Sequence, residues 1–255
     1  MGMRWPGFRK VRGTVCKRVQ RRLRELGLTD VAQYQVYLEN NAEEWAALEV
    51  MCRIPLSRFY RDHGLFDYLG EVKLPEMAQI ALVRGERELC CWCAGCASGE
   101  EPYTLNILWH LLLASRFPDL ALEIIATDVD ARMIRRAENG CYELGSLKQV
   151  PETWLDSAFE QSEEHYRVRS QFRAGIQFRV KDIRVEFPNG PFHVIFCRNL
   201  VFTYFNEEMQ QQLVEKMIAT LRPGGILILG KHEVLPLRAG ALVSCGRNLG
   251  VYQLS

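Results

Sequence analysis

Trp92-Cys93-Ala94-Gly95-Cys96-Ala97-Ser98-Gly99-Glu100-Glu101-Pro102-Tyr103 ends an apolar run, turns through small residues and opens a helical pattern with paired carboxylates. Small residues at such a turn let the backbone approach a ligand closely, as glycine loops between a strand and a helix do. The carboxylates repel phosphate and favour a neutral sugar or a cation. The stretch predicts a strand over 89–94, a loop, and a helix over 100–115.

Outward from that loop the pattern alternates. Strands are predicted over 122–127, 176–180, 192–197, 226–229 and 251–254. Asp128-Val129-Asp130 stops the second strand before a helix that runs to Asn139 and is capped by Gly140. Another helix covers 207–221 and ends at Arg222-Pro223-Gly224-Gly225. This order implies an α/β fold with a doubly wound, mainly parallel sheet. Residues 165–169 and 171–173 are polar and alternating, which suggests a small antiparallel hairpin beside it. Before residue 70 the spacing is helical over 14–26, 29–38 and 43–51 and forms a small N-terminal unit. The expected domains are therefore 1–70, helical, and 71–255, with a β-subdomain inserted over 160–181.

In an open parallel sheet the ligand lies beyond the carboxyl ends of the strands. Four predicted strand ends carry suitable groups: the loop from Gly95 through Gly99 to Glu100 and Glu101; Asp128, placed to accept ribose hydroxyls; Asp182, placed to accept an adenine amino hydrogen; and Cys197-Arg198-Asn199. Together they suit S-adenosylmethionine, with its ribose and sulfonium. Arg198 either orients a substrate carboxylate through its guanidinium fork or pairs with a structural acid. Tyr204 adds a hydroxyl nearby in sequence or is a core aromatic.

The chain has 255 residues, 48% hydrophobic and 25% charged, the composition of an ordinary globular protein. No run approaches the ~20 apolar residues of a membrane helix, and the N-terminus lacks a secretory signal's apolar stretch. Nine cysteines, an odd number, do not suggest a disulfide framework. Cys90, Cys91, Cys93 and Cys96 read as small buried hydrophobes in a reducing cytoplasm rather than a metal site. Nine Lys or Arg and no acid fall within residues 1–24, so the remainder is net acidic. That basic arm is either a solvated helix face or a surface for an acidic partner. The acidic body and the lack of a nucleic-acid motif argue against nucleic acid.

With these motifs in place, the chain resembles the CheR-type methyltransferases, which esterify glutamate side chains of bacterial chemotaxis receptors. The resemblance runs through Arg21-Arg22-Leu23-Arg24-Glu25-Leu26-Gly27-Leu28, Ser57-Arg58-Phe59-Tyr60-Arg61, the 95–103 loop, Ala126-Thr127-Asp128-Val129-Asp130, Phe196-Cys197-Arg198-Asn199 and Leu221-Arg222-Pro223-Gly224-Gly225. It implies S-adenosylmethionine as cofactor, contacted by Ser57, Arg61, Gly95, Gly99, Glu100 or Glu101, Asp128, Asp182 and Asn199. It further implies Arg198, Tyr204 and Arg61 as acceptor-side catalytic residues. The basic helix Lys17 to Arg24 resembles the family's docking helix and implies an acidic helical protein substrate. The N-terminal helical domain is short for the family, and the chain departs from the pattern at three further places. Pro55 replaces an asparagine, the segment from Asn199 to Phe205 is one residue longer, and Gly230-Lys231-His232-Glu233 replaces Gly-His-Ser-Glu. These departures leave open a small-molecule carboxylate as acceptor, or a cofactor-binding module without turnover.

Overall fold

The computed structural model describes residues 2–236, 239–246 and 248–255. The chain divides into two units: Met1–Pro55 with Thr203–Asn206, and Leu56–Phe202 with Glu207–Ser255.

The first unit holds helices Arg12–Glu25, Val31–Asn40 and Glu44–Cys52, preceded by a 3-10 turn at Trp5–Phe8. Asp30 starts the middle helix by accepting from Gln33 N at 2.9 Å. Gly27 supplies the left-handed stop (φ +69°) that ends the first. Leu23, Tyr34 and Leu38 form the apolar centre, with Val19, Leu26, Leu48 and Met51 against it. Beside it, buried Glu44 accepts from Arg22 Nε and Nη2 at 2.9 and 2.7 Å and from the Tyr34 hydroxyl at 2.8 Å. Arg18 donates to the carbonyls of Met51 and Arg53 at 3.0 and 2.6 Å. Two arginines of the basic helix therefore hold the unit together, while Lys17, Arg21 and Arg24 stay exposed at i, i+4 and i+7 on one face.

The second unit is built on strands β1 (Glu88–Ala94), β2 (Ala121–Asp128), β3 (Cys141–Glu143), β4 (Phe159–Ser162), β5 (His165–Val168), β6 (Ile176–Val180), β7 (Phe192–Phe196), β8 (Leu221–Ile228), β9 (Leu242–Ser244) and β10 (Val251–Leu254). Seven of them form one sheet in the order β6-β2-β1-β7-β8-β10-β9. The first five are parallel, and β10 runs antiparallel to β8 and β9. β1 and β7 are covered on both faces, which is why they read as continuous apolar runs. The strand order reverses between β1 and β7, so the crevice at their carboxyl ends is the topological switch point.

The sequence reading needs four corrections here. The compact units divide after Pro55 rather than near Gly70, because Phe59, Tyr60, Leu65, Phe66 and Leu69 belong to the large core. The antiparallel sheet beside the main one is β3-β5-β4 over 141–168, whereas 170–172 is a 3-10 turn and β6 belongs to the main sheet. Arg222-Pro223-Gly224-Gly225 lies inside β8 as an irregularity, its pairing jumping from Phe192↔Leu221 to Val194↔Ile226. Finally, the helix beginning at Glu100 widens into a π-helical turn at Trp109–Leu113. Among the described residues no helix is long and apolar enough to cross a membrane.

Candidate functional site

At the carboxyl end of β1 the backbone turns through left-handed conformations at Gly95 (φ +73°), Ala97 (φ +47°) and Gly99 (φ +91°). The β2 tip ties this turn down. Thr127 O accepts from Gly95 N at 2.8 Å and Cys96 N at 2.9 Å, and Thr127 Oγ1 accepts from Trp92 Nε1 at 2.9 Å. Asp128 takes Ala97 N on one carboxylate oxygen and Asp130 N on the other, each at 2.9 Å. A side chain at Gly95 would put its Cβ 2.6 Å from Leu200 Cδ2, and one at Gly99 would sit 2.8 Å from Ala137 Cβ. The glycines therefore answer both a backbone and a space requirement. Cys91, Cys93 and Cys96 are buried beneath the turn, and burial pushes their thiols up.

The next helix begins with two carboxylates that do different work. Glu100 is buried and accepts from Ser98 Oγ at 2.9 Å to each oxygen, with the Ser57 hydroxyl on the same carboxylate. Burial raises its pKa, against the lowering effect of those hydroxyls. Thr104 Oγ1 accepts Tyr60 N at 3.0 Å and donates to Glu100 O at 2.6 Å, which fastens the 57–62 loop to the helix. Glu101 accepts from Arg198 Nη1 at 2.7 Å, while Arg198 Nη2 pairs with Asp62. The guanidinium stands over the Phe66 ring, 5.9 Å from its centroid, and its Nε is buried without a hydrogen-bond partner among the described residues. Arg61 Nη1 donates to Leu56 O at 3.1 Å in the same loop.

At the β7 end, Asn199 also takes a left-handed conformation (φ +56°). Glu233 holds it: one carboxylate oxygen accepts from Asn199 N and from Gly230 N, each at 2.7 Å. A Cβ at Gly230 would lie 2.9 Å from both Asn199 Oδ1 and Glu233 Oε2. Left-handed non-glycine residues thus gather at Tyr60, Asp62, Ala97 and Asn199, in the segments around one end of the sheet. Clustered backbone strain of this kind marks ligand sites.

Ser57, Arg61, Gly95, Gly99, Glu100, Glu101, Asp128, Arg198 and Asn199 all lie in the second unit, on the loops around this end. Asp182 lies just past β6, where Lys181 N donates to Asp128 O at 3.0 Å, and its carboxylate is wrapped by Arg184. Tyr204 belongs to the first unit, its ring centroid 4.9 Å from that of Phe8. The guanidinium of Arg198, offered by the sequence to a substrate carboxylate or a structural acid, is engaged by two protein acids, because it is buried between them. Sequence reasoning missed Asp62 and Glu233. Glu233 carried a signal, the Gly-x-x-Glu spacing after β8, whereas Asp62 carried none beyond its neighbour Arg61.

Residues 56–247 match the family described as CheR methyltransferase, SAM binding domain, and residues 10–49 match its all-alpha domain. The chain belongs to the CheR methyltransferase family. It is 31% identical over 230 residues to the chemotaxis protein methyltransferase of Salmonella typhimurium, covering 87% of this chain and 76% of that one. It is 33% identical over 180 residues to the Listeria innocua chemotaxis protein methyltransferase, covering 71% and 65%. An uncharacterised 104.1 kDa protein of Rhodobacter capsulatus is 33% identical over 226 residues, covering 88% of this chain. The chain spans only 23% of that relative's length.

The cofactor of this CheR domain is S-adenosylmethionine, and the donor set fits it. Gly95, Gly99 and Gly230 let these turns pack directly against Leu200, Ala137 with Phe178, and Asn199 with Glu233, which fixes the backbone around the site. Carboxylates at the β1 and β2 tips suit hydroxyls, an amine and a sulfonium, and disfavour phosphate.

Proposed function

We propose that this CheR-family chain methylates a carboxylate on an acidic protein; its likeness to proteins named chemotaxis protein methyltransferases supports the methyl transfer. One observation supports the reading most: the strained, acidic, glycine-lined turn stands at the switch point of a CheR SAM-binding domain. The bound cofactor supplies an electrophilic methyl group on a sulfonium. The chain's own residues bind, orient and exclude water. Asp128 serves the ribose hydroxyls, Asp182 the adenine, and Ser57, Gly95, Gly99, Glu100, Glu101 and Asn199 shape the pocket. Arg61 orients the acceptor; an acceptor-side role for Tyr204 rests on the sequence resemblance alone. Arg198 acts as a positioning residue, joining the 57–62 loop, the helix at Glu101 and the β7 end through one guanidinium.

A carboxylate acceptor is ionised at neutral pH, so no strong base is needed. Alignment carries the catalysis. The exposed cationic face Lys17, Arg21 and Arg24 is the docking surface for an acidic helix, and long-range attraction raises the encounter rate. The domains of this reading are a helical docking domain over 1–55 and a methyltransferase domain from 56 onward.

The experiment is incubation of a lysate with methyl-labelled donor and the purified chain, followed by mild base. Label on protein released as volatile methanol supports the reading. Label in small molecules moves the acceptor to another class, and cofactor binding without transfer to anything marks a binding module.

A further inference from the structure

The β7–β8 ladder continues as far as Cys197 N, which donates to Ile228 O at 2.9 Å. In an evenly spaced parallel ladder the next donors in turn would be Gly230 N and Asn199 N, each meeting a carbonyl of the facing strand. Both N–H groups go instead to one oxygen of the Glu233 carboxylate, at 2.7 Å each. Glu233 N donates back to Gly230 O at 2.8 Å, which closes the 230–233 turn on itself. Lys231, His232 and Val234 are exposed, whereas Glu233 between them is buried. A carboxylate taken out of water is costly unless donors meet it, and these two N–H groups do. By replacing the two rungs it lets β7 part from β8, at the point where Asn199 turns left-handed (φ +56°). The Asn199 carboxamide itself has no hydrogen-bond partner among the described residues. Its Oδ1 passes over Gly230, 2.9 Å from where a Cβ would stand. The backbone is pinned and the side chain left uncommitted.

We propose that Glu233 is a positioning residue for the cofactor pocket, acting through Asn199: its carboxylate fixes the backbone from which the uncommitted carboxamide meets the bound cofactor. The inference rests on the reading above that gives Asn199 to that pocket. The physical need is local. A left-handed asparagine is held against extended and right-handed alternatives, and without a clamp its carboxamide would be offered in several placements. Glu233 removes that freedom by fixing Asn199 N to the same oxygen as Gly230 N. Gly230 is the second determinant, because a side chain there would displace the Asn199 carboxamide. Every part of the device lies in the second unit.

Glu233→Ala, Asn199→Gly and the double variant test it in the full chain, with Glu233→Gln as the conservative variant that keeps an acceptor oxygen. Asn199→Gly tolerates the left-handed backbone and removes only the carboxamide. Amide hydrogen exchange at Asn199 and Gly230 is read first, since it needs no ligand; it should rise roughly tenfold or more in Glu233→Ala. In calorimetric titration each single variant should bind S-adenosylhomocysteine roughly tenfold more weakly, the loss of about one hydrogen bond to the ligand. Glu233→Gln should recover most of that loss. The double variant should bind no more weakly than Asn199→Gly alone, because Glu233 then has no carboxamide to position. Gly230→Ala gives an independent route: it crowds the carboxamide, should lose affinity alike, and that loss should vanish in the Asn199→Gly background. Additive losses in either double variant overturn the role and leave Glu233 a structural clamp, as does fast exchange with wild-type affinity in Glu233→Ala. Wild-type affinity in Asn199→Gly overturns instead the placement of Asn199 in the pocket, on which the proposal stands.

Discussion

Arg198 donates from Nη1 to the Glu101 carboxylate at 2.7 Å, the arginine standing at the end of β7 and the glutamate in the first turn of the helix after β1. The other guanidinium nitrogen holds Asp62, so one buried cation ties three segments together across the switch point. Removing it leaves two acids facing each other with no cation between them. Arg198→Met should destabilise the second unit by about 3–5 kcal/mol and weaken cofactor binding. Arg198→Lys keeps the charge but not the fork, and should lose less stability than Arg198→Met. Thermal unfolding with and without S-adenosylhomocysteine measures both effects.

Gly99 sits at φ +91° with Ala137 Cβ 2.8 Å from where its own Cβ would be. Gly99→Ala combines a left-handed alanine, costing about 1–2 kcal/mol, with overpacking that costs about 1–3 kcal/mol. It should lower Tm by several degrees and impair cofactor affinity. Gly13→Ala is the opposite case. Its helical backbone is ordinary and nothing lies within 4 Å of the new Cβ, so Tm should rise slightly. Denaturant melts of the two variants side by side check the contrast.

The basic helix divides by face. Lys17, Arg21 and Arg24 reversed together to Glu should reduce protein methylation several-fold, more at low salt than at high, with Tm within a few degrees of wild type. Arg22→Ala behaves differently, because it strips Glu44 of a bidentate partner at 2.9 and 2.7 Å. The Arg22 interaction is the main reason the Glu44 carboxyl is held below the usual carboxylate range. With the arginine about a third exposed, the cost should be about 1–3 kcal/mol. Chemical denaturation separates the two classes of arginine.

His193 on β7 accepts from Cys90 N at Nδ1 (3.0 Å) and sets Nε2 2.6 Å from Glu86. A proton on Nδ1 would set it facing the Cys90 amide, donor to donor. Burial lowers its pKa, against the raising effect of Glu86. The unfolded chain therefore binds more protons just below the ordinary value of about 6.5. Stability is full above that value and falls as the pH drops towards the folded pKa. His193→Asn, which keeps an acceptor but does not titrate, should flatten that part of the stability profile in urea melts between pH 5 and 7.5.

The strand tips were legible because each is an apolar run broken by glycine, aspartate or arginine, a local signal. β3 and β9 were not, since three residues carry no period. The Leu74–Val83 helix buries Leu74, Met77, Ala78 and Ala81 yet exposes Ile80 and Val83, which blurs its apolar face. Arg198 was singled out from its place at a strand end. Its partners Glu101 and Asp62 lie 97 and 136 residues away and leave no trace at that spacing. The Tyr204 segment was read as a departure from the family. That it joins residues 2–8 follows from tertiary pairing alone.

Calorimetric titration of the intact chain with S-adenosylhomocysteine, beside Asp128→Asn and Gly99→Ala, tests the central claim most directly. The account predicts saturable binding of one ligand per chain, weakened at least tenfold by either substitution. No saturable heat at millimolar ligand, or wild-type affinity in both variants, would contradict it.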